Sequence, residues 1–359
     1  MNGGLLGGLP GLRPSGFAFG RRQLPYPLEQ EDVSLFAWGR EGLHAGLRAT
    51  GLGSGDEVLV PAYHHGSEIE AAVRAGLTCR FYLGTPSLEP DEEELEQLLT
   101  PRVRALHLTH FLGFPQDCER WRAWCDERGL LLIEDAAQAW LASSGGRPVG
   151  SFGDISMFCL YKTIAVAEGS ALVSRSPPAP AAGSPIGIGG AVRRGGLWLA
   201  QRSATLGTLA QRRPVRSEFD PVAEIALSEP SAPSRLTTAL LPRFDYRRAR
   251  ALRRDNYLRL LAVLGGQVPV PFNVLPDGAN PWLFPVDAND KAGLLKHLEE
   301  RGVRAVDFWS VPHPLLYQLG VHSSALGERR ACTVGLPVHQ ELSRLDVDRI
   351  ATATAGWFG

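Results

Sequence analysis

Of the 37 basic residues in this 359-residue chain, 34 are arginines; only Lys162, Lys291 and Lys296 are lysines. A lysine amine forms Schiff bases once desolvation lowers its pKa and frees the neutral nucleophile. Lys162 closes the almost wholly apolar run 155–161, where a lysine is rare unless paired or functional. Lys291 and Lys296 fall in 290–297, whose pattern predicts an ordinary amphipathic surface helix. Lys162 is therefore the candidate reactive amine.

A carboxylate stands upstream of it. The apolar run 131–133 leads into Glu134-Asp135-Ala136-Ala137-Gln138. Ligands of open α/β sheets bind beyond the carboxyl ends of the strands. Asp135 is thus either an acid delivered into a dry site or the N-cap of a following helix. His107 and His110, on one strand, would face opposite sides and make no compelling metal pair, and no metal is expected. The glycines around 187–190 lack the strand, helix and acid of a dinucleotide fingerprint, and no G-x-S-x-G elbow occurs.

These groups need a scaffold, and the alternation from Phe36 onward supplies one. Short apolar strands at 57–60, 79–83, 105–109 and 130–134 alternate with helical stretches, as in βαβ units on a parallel sheet buried on both faces. A Pro/Ala/Gly stretch, 177–190, and an Arg-rich segment follow. Residues 235–264 read as one long helix, and 282–354 as a smaller α/β unit. The expected division is an arm, 1–34; a large domain, 35–230; and the long helix with a small C-terminal domain, 231–359.

Composition narrows the class. A net charge of −1 gives no electrostatic footprint for nucleic acid or an anionic membrane. Five scattered cysteines without paired spacing fit a reduced, cytoplasmic protein. Neither a signal peptide nor a membrane span is expected.

Several of these segments, in order, resemble the DegT/StrS sugar aminotransferase family. They are Gly55-Asp56-Glu57-Val58-Leu59-Val60-Pro61, Gly113-Phe114-Pro115, Glu134–Ala139, Gly150-Ser151-Phe152-Gly153-Asp154, Lys162 with Glu168–Val173, and Leu336-Pro337-Val338-His339. The likeness is close over 35–175 and looser over 235–355. It implies the aspartate-aminotransferase-like α/β fold, with a large mostly parallel-sheet domain and a smaller C-terminal α/β domain. It also implies pyridoxal 5′-phosphate as cofactor.

By position, Lys162 resembles the lysine that attaches the cofactor and later moves the proton. Asp135 resembles the carboxylate that pairs with the pyridine nitrogen, and Gln138 the residue near the ring's 3-oxygen. His65 falls where an aromatic ring stacks on the cofactor, and His110 is expected on the cofactor or substrate side. Gly39, Arg40 and Glu41 occupy the phosphate-binding turn, with Arg40 and Glu41 replacing a Ser/Thr pair, so backbone donors carry more of the binding. Cys159 stands where the family has a phosphate-binding serine and offers a weaker donor or a buried core residue. The Asn/Arg motif that reaches across the dimer is not recognisable, with Arg235 only a placeholder for it.

The expectation is a homodimeric enzyme transferring an amino group, with glutamate as donor, to a small-molecule keto acceptor, a nucleotide-linked keto sugar. Dehydration or non-sugar amination on the same scaffold, and a non-catalytic cofactor-binding protein, remain the alternatives.

Overall fold

The computed structural model describes residues 4–12, 22–183, 188–211 and 226–359. Its centre is a seven-stranded sheet. The chain enters through β1 (Leu6–Gly7), β2 (Ser34–Phe36), α1 (Gly39–Ala49), β3 (Glu57–Pro61), α2 (Ser67–Arg74), β4 (Thr78–Tyr82), α3 (Glu92–Leu98) and β5 (Val103–Thr109). It continues through α4 (Cys118–Arg128), β6 (Leu131–Asp135), the small hairpin of β7 (Ser143–Ser144) and β8 (Arg147–Pro148), β9 (Ile155–Cys159), α5 (Leu160–Thr163) and β10 (Ser170–Ser174). The sheet order is β2-β10-β9-β6-β5-β3-β4. The five strands from β9 to β4 are parallel, whereas β10 pairs antiparallel with both β9 and β2.

Both faces are covered, which explains the continuous apolar strands. Trp121, Trp124 and Trp140 pack on one side, and Leu43, Leu47 and Ile69 on the other. Helix α1 lies close because its sheet-facing side is small: a Cβ on Gly46 would meet Leu172 at 3.1 Å, and one on Gly42 would meet Phe36 at 3.0 Å.

Helices α6 (Ile188–Arg202) and α7 (Ala204–Gln211) come next, then α8 (Arg235–Leu240) and α9 (Tyr246–Leu264). The single long helix expected over 235–264 is broken, because Pro242 and the fresh N-cap Asp245, which accepts from the Arg248 N–H, restart it. The C-terminal unit has β11 (Leu283–Asp287), α10 (Lys291–Glu300), β12 (Val303–Arg304), β13 (Val306–Asp307), α11 (Leu315–Gln318), α12 (Ser324–Cys332), β14 (Thr333–Pro337) and α13 (Arg344–Phe358). It is built on the antiparallel sheet β11-β14-β13.

The arm is part of that unit's edge, since Leu6 pairs in parallel with Val303. Residues 188–211 also lean on it, with Leu12 N–H donating to Arg194 O and Arg202 to Glu341 O. Residues 184–187, within the Pro/Ala/Gly stretch, and 212–225 lie outside the described residues.

Candidate active site

Strand parity sorts the acids. Successive strand residues face opposite sides, so Glu134 and Asp135, at the end of β6, enter different environments. Asp135 aligns with Thr109 of β5, and Ile133 with His107, which puts His107 on the face of Asp135. His107 Nε2 lies 3.5 Å from Asp135 Oδ2, and the Ala137 N–H donates to Oδ1 at 2.9 Å. Burial opposes ionisation of Asp135, but His107, that N–H and the charge of Lys162 outweigh it and hold the pKa below its usual value. This is a buried, ionised carboxylate at the carboxyl end of a parallel strand.

Glu134 does something else. Its oxygens accept from the N–H groups of Gly150, Phe152 and Gly153, and from His110 Nε2 at 3.3 Å. Cys118 Sγ lies 3.4 Å from the same carboxylate. His110 Nδ1 accepts from the Gln116 N–H, so both its ring nitrogens are engaged. His110, Cys118 and Glu134 gather within ligand reach of one another, yet the carboxylate is consumed as a structural hub. The expectation that His110 sits on the cofactor or substrate side is corrected: it is fully buried behind β6.

Lys162 is not on the strand. β9 ends at Cys159, and Lys162 stands in the single turn α5, half-buried, with Nζ 4.6 Å from the centroid of the Trp282 ring. The Lys291 expectation is corrected too. Its amine is buried in the C-terminal unit, 2.6 Å from Asp307 and donating to Ser310 Oγ and the carbonyls of Phe308 and Arg330. An amphipathic pattern could not show that the first residue of α10 points inward. Lys296 is exposed.

His65 lies within electrostatic reach of Lys162. Burial, then the charges of Lys162 and Arg40, lower its pKa against the opposing pull of Glu68 and Asp135. A neutral imidazole results, held through Ser67 Oγ at 3.3 Å from Nδ1 and by its own N–H on Glu68. Gln138 Oε1 accepts from the Leu112 N–H at 2.7 Å, which fixes the amide and leaves its NH2 end to donate.

The start of α1 is the phosphate-site candidate. Trp38, its N-cap, makes no side-chain cap, and Arg40 stacks over the Trp38 ring at 5.7 Å with a buried Nε that has no partner among the described residues. Orphaned donors at a helix N-terminus suit an anion. Glu41 differs from the expectation: its carboxylate is fully buried and bound to Ser228 Oγ and to the N–H and Oγ of Ser231. Of Glu41, only the backbone is left for a phosphate. Cys159 is buried beneath Gly39, where an added Cβ would meet Cys159 Sγ at 2.8 Å and Met157 Sδ at 2.7 Å. Burial pushes the Cys159 thiol pKa up, so it is a neutral group under the turn.

The chain is also similar to known proteins. Residues 30–184 match the profile of the DegT/DnrJ/EryC1/StrS aminotransferase family. The match covers 155 of the 359 residues. A GDP-perosamine synthase of Vibrio cholerae is 35% identical over 152 residues, 42% of this chain and 41% of that protein. A dTDP-3-amino-3,4,6-trideoxy-alpha-D-glucose transaminase of Streptomyces venezuelae is 29% identical over 333 residues, 89% of this chain and 81% of that protein. The Helicobacter pylori aminotransferase PseC, involved in pseudoaminic acid biosynthesis, superposes with a TM-score of 0.71 at 16% identity, covering 99% of both chains. The fold is that of the sugar aminotransferases, as expected.

The sequence alone did not point to His107, Trp282 or Arg253. Strand parity between β5 and β6 was the available signal for His107. Trp282 and Arg253 reach Lys162 only through long-range packing.

Proposed function

We propose that this protein is a pyridoxal 5′-phosphate-dependent aminotransferase that aminates a nucleotide-linked keto sugar, using glutamate as the amino donor. The observation that carries the reading is that Lys162, Arg40 and Asp135 all act electrostatically on the buried His65. The names of the sugar-aminotransferase relatives support the substrate class. When bound, the cofactor supplies an electron sink for the carbon that gains or loses the amino group.

The residues present fit that group. Asp135, ionised and dry, accepts from the protonated ring nitrogen and keeps it protonated. His65 offers a neutral ring face for stacking, and Gln138 a donor toward the ring oxygen. The α1 N–H groups and the Arg40 Nε, which has no partner among the described residues, receive the phosphate. Lys162 holds and returns the proton at Nζ as acid and base.

The same reading places the enzyme in the cytoplasm as a homodimer. All five cysteines are free thiols, and among the described residues no helix is long and apolar enough to cross a membrane. Val192, Leu199, Leu206 and Leu209 leave an apolar face on α6 and α7 that a second copy would cover.

The test is spectral. Purified protein with pyridoxal 5′-phosphate should show a visible band that borohydride abolishes, and Lys162→Ala should lack it. Glutamate should bleach the band, and a nucleotide keto sugar should restore it. A band that ignores every amino donor would leave a cofactor-binding protein without transaminase activity.

A further inference from the structure

Arg253, on α9, is one of the largest fully buried side chains, 1% exposed, and makes no ion pair among the described residues. Burial pulls its pKa down to about 9 while Glu341 pulls the other way, so it stays a cation at neutral pH. A buried guanidinium is costly unless its donors are used, and all of its bonds go to neutral oxygens. Nη2 donates to the carbonyls of Lys162 at 3.0 Å and Thr163 at 2.9 Å, Nη1 to Pro281 O at 3.0 Å, and Nε to Gln340 Oε1 at 2.8 Å. Gln340 in turn donates to Thr163 O at 3.0 Å.

Two of those carbonyls belong to peptides that matter. One leaves Lys162; the other joins Pro281 to Trp282, and the Trp282 N–H of that same peptide donates to Leu112 O at 2.8 Å. One planar fork therefore ties the lysine turn of the large domain to the strand entry that carries Trp282 in the C-terminal unit. The Lys162 amine meets the Trp282 ring face at 4.6 Å, a cation–π distance.

We propose that Arg253 is a positioning residue for Lys162: by gripping the Lys162, Thr163 and Pro281 carbonyls together it fixes the lysine turn against Trp282, whose indole face holds Nζ within reach of the surroundings of His65 and Asp135. A lysine in place of Arg253 cannot reproduce this, having no rigid fork. The proposal rests on Lys162 being the reactive amine.

The three lysines supply their own controls. The full-length protein is mixed with pyridoxal 5′-phosphate and quenched with borohydride at short times, and peptides are quantified by mass spectrometry. The lysine amine condenses with the aldehyde, expelling water, and borohydride delivers hydride to the resulting carbon–nitrogen double bond. Exposed Lys296 reports ordinary amine reactivity, and buried Lys291 reports whether the C-terminal unit remains folded. Wild type should label Lys162 well ahead of Lys296 and spare Lys291.

In Arg253→Met the Lys162-to-Lys296 ratio should fall about tenfold or more with Lys291 still spared, because small misplacements of a reacting group are that expensive. Trp282→Leu should lower the ratio in the same way, and Trp282→Phe, which keeps an aromatic face, should recover most of it. If Arg253→Met exposes Lys291, it has unfolded, and the Trp282 pair decides. A ratio unchanged within about twofold in Trp282→Leu, or in a folded Arg253→Met, overturns the proposal. A wild type with no preference for Lys162 instead overturns the assignment of the reactive amine.

Discussion

Glu134 and Asp135 are adjacent in sequence and separated by a sheet. The first is spent on holding three backbone N–H groups of the 150–153 loop; the second, under the proposed function, is left for the cofactor. Asp135→Asn should therefore lower turnover at least about a hundredfold, roughly 3 kcal/mol of transition-state stabilisation, and Glu134→Gln should chiefly lower the melting temperature. Steady-state kinetics and thermal unfolding on the two variants separate these roles. Comparable losses of turnover in both would show that the acids had been assigned wrongly. Asp135 was legible because an acid closing an apolar strand is unusual. Its partner His107 lies on another strand, where only pairing register connects the two.

At the level of elements, the turn Phe111–Gly113 controls more than its length suggests. Leu112 sits at φ 55° and Gly113 at φ 90°, so two successive residues are left-handed. That geometry lets Leu112 donate its N–H to Gln138 and offer its carbonyl to Trp282. A Cβ on Gly113 would stand 2.0 Å from Asn280 O, so Gly113→Ala meets both a backbone collision and a disfavoured φ. It should cost about 2–4 kcal/mol, read by denaturant unfolding. Purified folded protein should also show weakened Lys162 labelling, because the Trp282 anchor moves. The strands and helices of the large domain were readable from alternation, since local patterning sets them. The break at Pro242, the inward Lys291 and the Arg253 clamp were not, because each depends on what a distant segment brings alongside.

For the whole molecule, pH acts through histidines buried as neutral rings. His339 donates from Nε2 to Gly7 O at 3.0 Å while Nδ1 accepts from the Glu341 N–H, and burial lowers its pKa from 6.5 to about 3. The unfolded chain binds that proton first, so the contribution is complete above pH 6.5 and lost as the pH falls toward 3. His64, also buried and neutral, acts in the same direction. The depressed carboxylates Asp135 and Glu134 add stability only above their unfolded values, 3.8 and 4.5, and lose it below them. Unfolding free energies measured between pH 6.5 and 4.5 therefore leave out those two carboxylates, with Asp287, whose pKa burial raises, pulling the other way. His339→Gln should flatten the slope by as much as about 1.4 kcal/mol per pH unit; an unaltered slope would assign the acid sensitivity elsewhere. The bond to Gly7 has another consequence. Leu6 and Gly7 are made 297 residues before their partners Val303 and Arg304. The two-stranded β1–β12 pair therefore forms only after β12 has been made, and until then β1 waits without its partner. Pulse labelling during translation should find Leu6 accessible to protease long after the large sheet has become resistant.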